Sequence, residues 1–157
     1  MSQSKPLSTG SYGKRAGAIE LTSPGNEVTF RAMKPPQIRE DVLRDTRYPV
    51  HRIADRLLPY LKVLVEQFHP EQVILFGSYA YGAPNEHSDV DLLVIKRIEK
   101  SSISERRDIL KAWRPIRWAA YSLPFELLLI SPAEHKKRLA EGGGFYASIT
   151  KDGLQLA

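Results

Sequence analysis

Three short segments dominated by apolar residues constrain the fold of this chain more than any other feature. They are Val73–Phe76, Asp89–Ile95 and Phe125–Ile130. Each is too short for a stable helix, and its apolar side chains lack the three- and four-residue spacing of a helical face. Such runs are typical of strands buried inside a sheet. The sequence therefore predicts a sheet of at least three strands.

Longer segments with a helical pattern separate these strands. Apolar residues recur at three- and four-residue steps across Val50–Phe68, and Pro59 inside this segment predicts a kink. Residues 104–120 also predict a helix, distorted at Pro115, and Pro132–Ala140 predicts another that begins with proline in its first turn. The resulting order, α-β-α-β-α-β-α, predicts an α+β fold in which helices cover one small mixed sheet.

Residues 1–48 differ in composition from the rest. They are rich in Gly, Ser, Pro and charge, with short apolar stretches only at Ala18–Leu21 and Val28–Met33. We therefore expect two parts, an N-terminal arm over residues 1–48 and a folded domain over residues 49–157. The arm is predicted either to be flexible or to become ordered on a partner or second subunit.

Composition excludes several protein classes. The 157 residues include no cysteine, which excludes disulfides and thiolate metal sites and fits a reducing compartment. No apolar run is long enough to span a bilayer, and the N-terminus lacks a secretory signal. Eight Lys and Arg against five Asp and Glu in the first 50 residues supply most of the net charge of +5. We expect a cytoplasmic protein with no membrane partner, and nucleic acid is not indicated.

Two acidic residues predict a metal site. Asp89 and Asp91 are two apart on a predicted strand, so both carboxylates point to the same face, while Val90 and Leu92 point to the core. Carboxylates this close repel and raise each other's pKa unless a cation lies between them. Oxygen ligands favour a hard ion, and Mg²⁺ is the first choice where a phosphate substrate completes the shell.

Two further features complete the candidate site. Gly77-Ser78 lies where a strand passes into a helix, so backbone N–H groups and the Ser78 hydroxyl can hold phosphate oxygens. Glu126 is the charged residue of an otherwise apolar strand, where an acid is costly unless it is paired or binds metal. A metal beside an anion cradle predicts phosphoryl transfer.

These residues resemble the signature of the polymerase-β-like nucleotidyltransferase superfamily: Gly77-Ser78, ten residues, then Asp89-Val90-Asp91. More narrowly, residues 50–157 resemble the minimal nucleotidyltransferases, several of which are antitoxins that adenylylate a HEPN-domain toxin. The resemblance implies the polymerase-β-like fold. It also implies that Asp89, Asp91 and Glu126 are catalytic and bind two Mg²⁺ ions, and that Gly77 and Ser78 bind ATP. Two positions depart from the family: the third acid is often Asp, and Tyr81 stands where Arg is common.

The resemblance also implies a partner. We expect AMP transfer from ATP to a hydroxyl of a helical HEPN-type toxin, with homo- or hetero-oligomers possible. One alternative is an adenylyltransferase for a small molecule such as an aminoglycoside, although those enzymes usually carry a second domain for the acceptor. Another is an antitoxin that inhibits by contact alone.

Other polar and aromatic residues predict ordinary structural roles. His87 is expected to be solvated, Lys96 and Arg97 to be a solvated strand end, and Gly142–Gly144 to end a helix. Lys136-Lys137-Arg138 is expected to be the wet face of that helix. The aromatic residues expected to lie in the core or an interface are Trp113, Trp118 and Tyr121.

Overall fold

The computed structural model describes residues 34–119 and 122–157. Residues 34–157 form one compact unit. In the described part, helices cover a four-stranded mixed sheet, which confirms the predicted fold class. No helix in this part is long and apolar enough to cross a membrane. The helices are α1 (Glu40–Leu43), a 3-10 helix (Pro49–Ile53), α2 (Ala54–Phe68), α3 (Ser78–Tyr81), α4 (Ser102–Ala112), α5 (Arg114–Trp118), α6 (Pro132–Glu141) and α7 (Gly144–Asp152).

The strands are β1 (Gln72–Phe76), β2 (Val90–Ile95), β3 (Phe125–Ile130) and β4 (Leu154–Gln155), in the sheet order β3-β2-β1-β4. β1 pairs antiparallel with β2 and β4, whereas β2 and β3 run parallel. The three predicted strands are thus confirmed. β4 was not predicted, because a strand of two residues has no readable alternation.

The helix over residues 50–68 is interrupted at its start. A 3-10 helix precedes α2, and Pro59 lies inside α2. α2 ends at Phe68 because His69 adopts the left-handed conformation, with φ of 47°, and Pro70 follows. One face of α2 is buried against the sheet, and this face carries the residues Leu57, Tyr60, Leu61, Leu64 and Val65.

The predicted helix at 104–120 is two helices. α4 begins at Ser102, where the Ser101 hydroxyl caps it, and α5 begins at Arg114 with Pro115 in its first turn. The break falls at Trp113, which is fully buried and donates its indole N–H to the carbonyl of Tyr60 at 3.1 Å. The predicted core position of Trp113 is confirmed, whereas Trp118 is 88% exposed and is not a core residue.

The boundary predicted between residues 48 and 49 falls inside the compact unit. Leu43 is fully buried in the core, and the N–H of Arg39 donates to the carbonyl of Leu156 at 2.8 Å. Residues 34–48 therefore pack with the domain. The rest of the predicted arm, residues 1–33, lies outside the described residues.

Each face of the sheet has its own apolar core. On the first face α2, α4 and Trp113 pack on the side chains of Leu75, Leu92 and Leu127. On the second face Ile149 and Tyr146 of α7 pack on Ile74, Leu93 and Ile130. The second core reaches Phe76 at the end of β1, whereas Asp91 is half-buried and Glu126 is exposed. The candidate site occupies this end of the sheet.

Candidate nucleotidyl-transfer site

One row of side chains crosses three strands at the end of the second sheet face. Phe76 of β1 pairs with Asp91 of β2, and Asp91 pairs with Glu126 of β3. Residues paired in this way point to the same face, and neighbouring strands lie about 4.8 Å apart. We call Phe76, Asp91 and Glu126 the acidic row. The structure thus brings together two of the acids that lie far apart in the sequence.

Asp89 lies just outside the strand. β2 begins at Val90 rather than at Asp89, and Asp89 is exposed in the preceding loop. The Val90 N–H donates to the carbonyl of Pro124 at 2.8 Å, which fixes the start of β2 against the start of β3. Val90 and Leu92 are fully buried, as predicted. Asp89 and Asp91 therefore flank a rigid buried residue at the end of the sheet.

Asp91 is the half-buried acid of the group, whereas Asp89 and Glu126 are exposed. Burial first, and then the negative charges of Glu126 and Asp89, together raise the pKa of Asp91 to about 6. A carboxylate among like charges is stabilised when a cation arrives. The mutual repulsion that the sequence predicted is present at Asp91.

Gly77 permits the close approach of Asp91. Its φ is +71°, and a Cβ at this position would lie 2.1 Å from Oδ2 of Asp91. Any side chain would therefore collide with the carboxylate as well as strain the backbone. The Gly77 carbonyl accepts from the N–H groups of Ala80 and Tyr81, at 3.1 and 3.2 Å, which closes the first turn of α3. The start of α3 is thus held directly against the Asp91 carboxylate.

Ser78 is the first residue of α3 and is half-buried. It follows Gly77, which lies against Asp91, so the helix begins beside that carboxylate. Free N–H groups at a helix start are suited to bind anions. Phosphate binding by Gly77 and Ser78 stays a prediction.

The carboxylate oxygens of Asp89, Asp91 and Glu126 suit a hard divalent cation, although the three side chains are not already arranged to coordinate one. Among the described residues, no group of three or more His, Asp or Glu side chains is arranged to hold a metal ion. Asp91 is fixed by its strand and by Gly77, while Asp89 and Glu126 have exposed side chains that can rotate. The electrostatic coupling of all three at Asp91 shows that they share one region. Oxygen-only ligands suit Mg²⁺.

Aromatic side chains beside the acids were not predicted. Phe76 belongs to the acidic row, and Phe145 of α7 packs edge-on against it with ring centroids 6.0 Å apart. Phe145 is 66% exposed, and Tyr81 at the end of α3 is 52% exposed. Nothing in the sequence linked Phe145 to Phe76, because the contact depends on how α7 crosses the sheet.

The strand end predicted to be solvated is exposed at Arg97 but not at Lys96. Lys96 is buried and forms an ion pair with Glu105, so it does not face solvent or anions. Arg97 is exposed. His87 is exposed, and its backbone N–H donates to the Asn85 side chain at 2.8 Å, as expected of a loop residue.

The remaining predictions concern α6 and two aromatic residues. Gly142 ends α6 in the left-handed conformation, which confirms a helix terminator. The basic residues 136–138 lie on the exposed face of α6, also as predicted. Trp118 is exposed, so its predicted role in an interface stays a prediction. Tyr121 lies outside the described residues.

Two comparisons with known proteins bear on this site. Residues 56–143, more than half of the chain, match the family model described as a nucleotidyltransferase domain. This range contains Gly77, Ser78, Asp89, Asp91 and Glu126. The match supports a transferase with a nucleotide substrate.

A relative is known from Methanocaldococcus jannaschii, under the name "Putative protein adenylyltransferase MJ0141". The chain is 41% identical to it over 69 residues, which are 44% of this chain. The aligned part spans 63% of the length of that relative.

Proposed function

The chain belongs to the nucleotidyltransferase domain family, and from that premise we propose that it transfers AMP from ATP to a hydroxyl of a partner protein. The reaction depends on Mg²⁺, and the partner we propose is a helical HEPN-type toxin, so that the chain acts as its antitoxin. The observation that carries this proposal is the half-buried Asp91, held between Gly77 and two further acids.

The acids would hold the metal. Asp89 and Asp91 are proposed to bind both Mg²⁺ ions, and Glu126 to complete the site on the acceptor side. When bound, Mg²⁺ supplies positive charge to the triphosphate and favours ionisation of the acceptor hydroxyl. Asp91 contributes a fixed carboxylate because Gly77 lets it pack against the backbone. Asp89 and Glu126 contribute exposed carboxylates that adjust to the substrate.

The start of α3 is proposed to hold the triphosphate. Backbone N–H groups after Gly77 and the Ser78 hydroxyl donate to phosphate oxygens, and the positive end of the short helix favours an anion. Because Gly77 lacks a side chain, the Asp91 carboxylate lies directly against this turn. This fixes the α-phosphate beside the acidic row.

The transfer step is a displacement at the α-phosphorus. The acceptor oxygen forms the new P–O bond, and the bond from the α-phosphorus to the bridging oxygen of the β-phosphate breaks. Pyrophosphate leaves with that electron pair. The hydroxyl proton passes to Glu126, whose exposed carboxylate can reach both acceptor and solvent, and then to water.

The open position of the acids supports a protein as the acceptor. Cavities of about 250, 300 and 380 Å³ in the described part of the chain are lined by other residues. Asp89 and Glu126 are exposed instead of enclosed. A small acceptor needs a concave pocket for its own binding energy, whereas a partner protein brings a surface of its own. The name of the archaeal relative, a protein adenylyltransferase, points the same way.

The test is transfer of label from α-labelled ATP. The full chain, a HEPN-type partner encoded beside it and Mg²⁺ should give an AMP mass increment on the partner. The double variant Asp89→Asn, Asp91→Asn should lower the rate by at least about 1,000-fold, because it removes the metal ligands. Glu66→Gln, an exposed acid of α2 remote in sequence from these residues, is the matched control and should leave the rate unchanged.

Three results would contradict the proposal. Transfer by the double variant at the wild-type rate would remove the assigned site. Turnover of an aminoglycoside with no labelled protein would favour the small-molecule enzyme. Inhibition of the toxin by the double variant without any label would favour an antitoxin that acts by contact.

A further inference from the structure

β3 has a free edge. In the described sheet, β3 has a neighbouring strand only on its β2 side. The Val90 N–H donates to Pro124 and the Lys96 N–H donates to Ile130, at 2.8 and 3.1 Å. In a parallel pair, residues bonded to the neighbour alternate with residues that face away from it. Leu127 and Leu129 therefore direct their N–H and C=O groups away from the sheet.

A groove of about 250 Å³ runs along this edge, which we call the edge groove. β3 lines it together with Leu93 of β2, the first turns of α4, Arg138 of α6 and Tyr146 of α7. The side chains of Leu127 and Leu129 are buried in the first core, so these residues meet the groove at their backbone edge. Unpaired backbone groups in a groove are suited to an extended peptide.

The rim of the edge groove is basic and apolar. Arg106 of α4 is exposed, and no carboxylate among the described residues lies within ion-pair distance of it. Arg138 of α6 also lines the groove and pairs with Glu134 on its own helix. Ile103 is 73% exposed at the same rim. An occupant with acidic and apolar side chains complements this rim.

The edge groove is continuous with the proposed site, since Glu126 and the lining residue Leu128 lie on one face of the same strand. A strand added to β3 would extend every row of the sheet by one side chain. The acidic row would then continue from Asp91 and Glu126 to a residue of the added strand, about 4.8 Å beyond Glu126. A hydroxyl at that position lies next to the proposed proton acceptor.

We propose that the edge of β3 binds an extended segment of the partner protein as an added strand and thereby presents its acceptor hydroxyl beside Glu126. This rests on the proposed function and specifies how the acceptor is recognised. Side chains on one face of a strand are two residues apart. The segment therefore carries a hydroxyl residue in the acidic row, an apolar residue two positions away over Leu128, and an acid four positions away near Arg106 and Arg138.

The first experiment uses a symmetric synthetic peptide, Glu-Gln-Val-Gln-Tyr-Gln-Val-Gln-Glu, which presents this pattern in either strand direction. An antiparallel added strand uses the N–H groups of the glutamines beside the tyrosine, whereas a parallel one uses those of the tyrosine and a valine. One peptide is N-methylated at the two glutamines beside the tyrosine, and a second at the tyrosine and that valine. Fluorescence anisotropy compares the binding of each with that of the parent peptide. One of them should lose at least tenfold in affinity, and the other should bind like the parent.

Hydrogen exchange locates the binding, and charge reversal tests the rim. The parent peptide should slow exchange of the Leu127 and Leu129 amides in the full chain. Arg106→Glu should weaken peptide binding at least tenfold, while Arg107→Glu, the exposed neighbour on α4, should change it less than threefold. Equal binding of both methylated peptides, or no slowing at Leu127 and Leu129, would overturn the proposal.

ATP-dependent labelling separates this proposal from the function on which it rests. Suppose that Arg106→Glu labels the partner as fast as the wild-type chain does, and that the peptide does not slow amide exchange in β3. Edge recognition is then wrong and the transferase stands. If the peptide binds as described and neither peptide nor partner gains AMP, edge recognition stands and the proposed function is wrong.

Discussion

The acids near the two ends of β2 have opposite electrostatic surroundings. Lys96 directly follows the last residue of β2 and forms an ion pair with Glu105 of α4, and both residues are buried. At the start of the strand, Asp91 is half-buried. Its pKa is set by burial and by the negative charges of Glu126 and Asp89, and no positive charge contributes. At the end of β2 next to Lys96, which we call the closed end, the chain itself supplies the opposite charge. At the end that carries Asp91, which we call the open end, we propose that a ligand supplies it.

Hydrogen bonds account for the difference. Burial acts to raise the pKa of Glu105, but hydrogen bonds from Lys96 and from the N–H groups of Glu99 and Lys100 outweigh it and lower the pKa. Lys96 also donates to the Arg97 carbonyl at 2.6 Å. This network ties the start of α4 to the end of β2, and its role is structural. At Asp91 burial and like charges act together and raise the pKa to about 6.

Removing the acid Glu126 near Asp91 should have the largest effect. Glu126→Gln should lower turnover by roughly 100-fold or more, the usual contribution of a general base, and should weaken ATP binding much less. The fold should be unaffected because Glu126 is exposed. Single-turnover transfer rates and ATP binding check this, with Glu66→Gln as the control. Unchanged activity would make Glu126 a structural acid and require another third ligand.

Breaking the ion pair between Lys96 and Glu105 should have the next largest effect. Lys96→Met leaves Glu105 buried without its cation and should lower the free energy of unfolding by about 3–5 kcal/mol. Lys100→Met removes an exposed ion pair to Asp108 and should cost less than about 1 kcal/mol. Urea unfolding of the two variants measures the contrast. Equal losses would show that burial does not distinguish these pairs.

The third and smallest effect is the pH dependence of stability. The pKa of Asp91 is raised in the folded chain from 3.8 to about 6, so folding favours its protonated form. Without divalent metal, the free energy of unfolding should therefore fall as the pH rises from about 4 to about 6. We expect roughly 1–3 kcal/mol, since one pKa unit corresponds to about 1.4 kcal/mol.

Asp91→Asn is the control for this effect and should abolish the fall between pH 4 and 6. Glu105 acts in the opposite direction, because its lowered pKa gives stability that is lost as the pH falls below its usual value of 4.5. A wild-type chain whose stability is constant across pH 4–6, or one matched by Asp91→Asn, would contradict the raised pKa of Asp91.

Local patterns made most of the fold predictable. Phe125–Ile130 is a strand with the predicted bounds because an apolar run of that length, between Pro124 and Ser131-Pro132, admits few alternatives. The pair Gly77-Ser78 was placed at the strand-to-helix turn because it directly follows the apolar run Val73–Phe76, and Gly77 does have a positive φ. Asp89 and Asp91 were found by their spacing on a predicted strand. Glu126 was found because an acid in a buried strand is costly, although its side chain is exposed in the structure.

Contacts between distant residues account for what the sequence did not reveal. Leu43 lies in a charged stretch, and its burial depends on the surface that the domain offers to α1. Lys96 and Glu105 are nine residues apart across a connection, so no strand or helix periodicity pairs them. The same holds for the edge of β3, which follows from strand order and not from any residue of β3 itself.

We propose that Asp91 requires a charge from outside the chain. The most direct test is the titration of its carboxyl carbon by NMR in ¹³C-Asp-labelled full-length protein, with and without Mg²⁺. We expect an apparent pKa of about 6 without metal and a fall of at least about one unit with saturating Mg²⁺. A pKa near 3.8 without metal, or one that Mg²⁺ leaves unchanged, would contradict it.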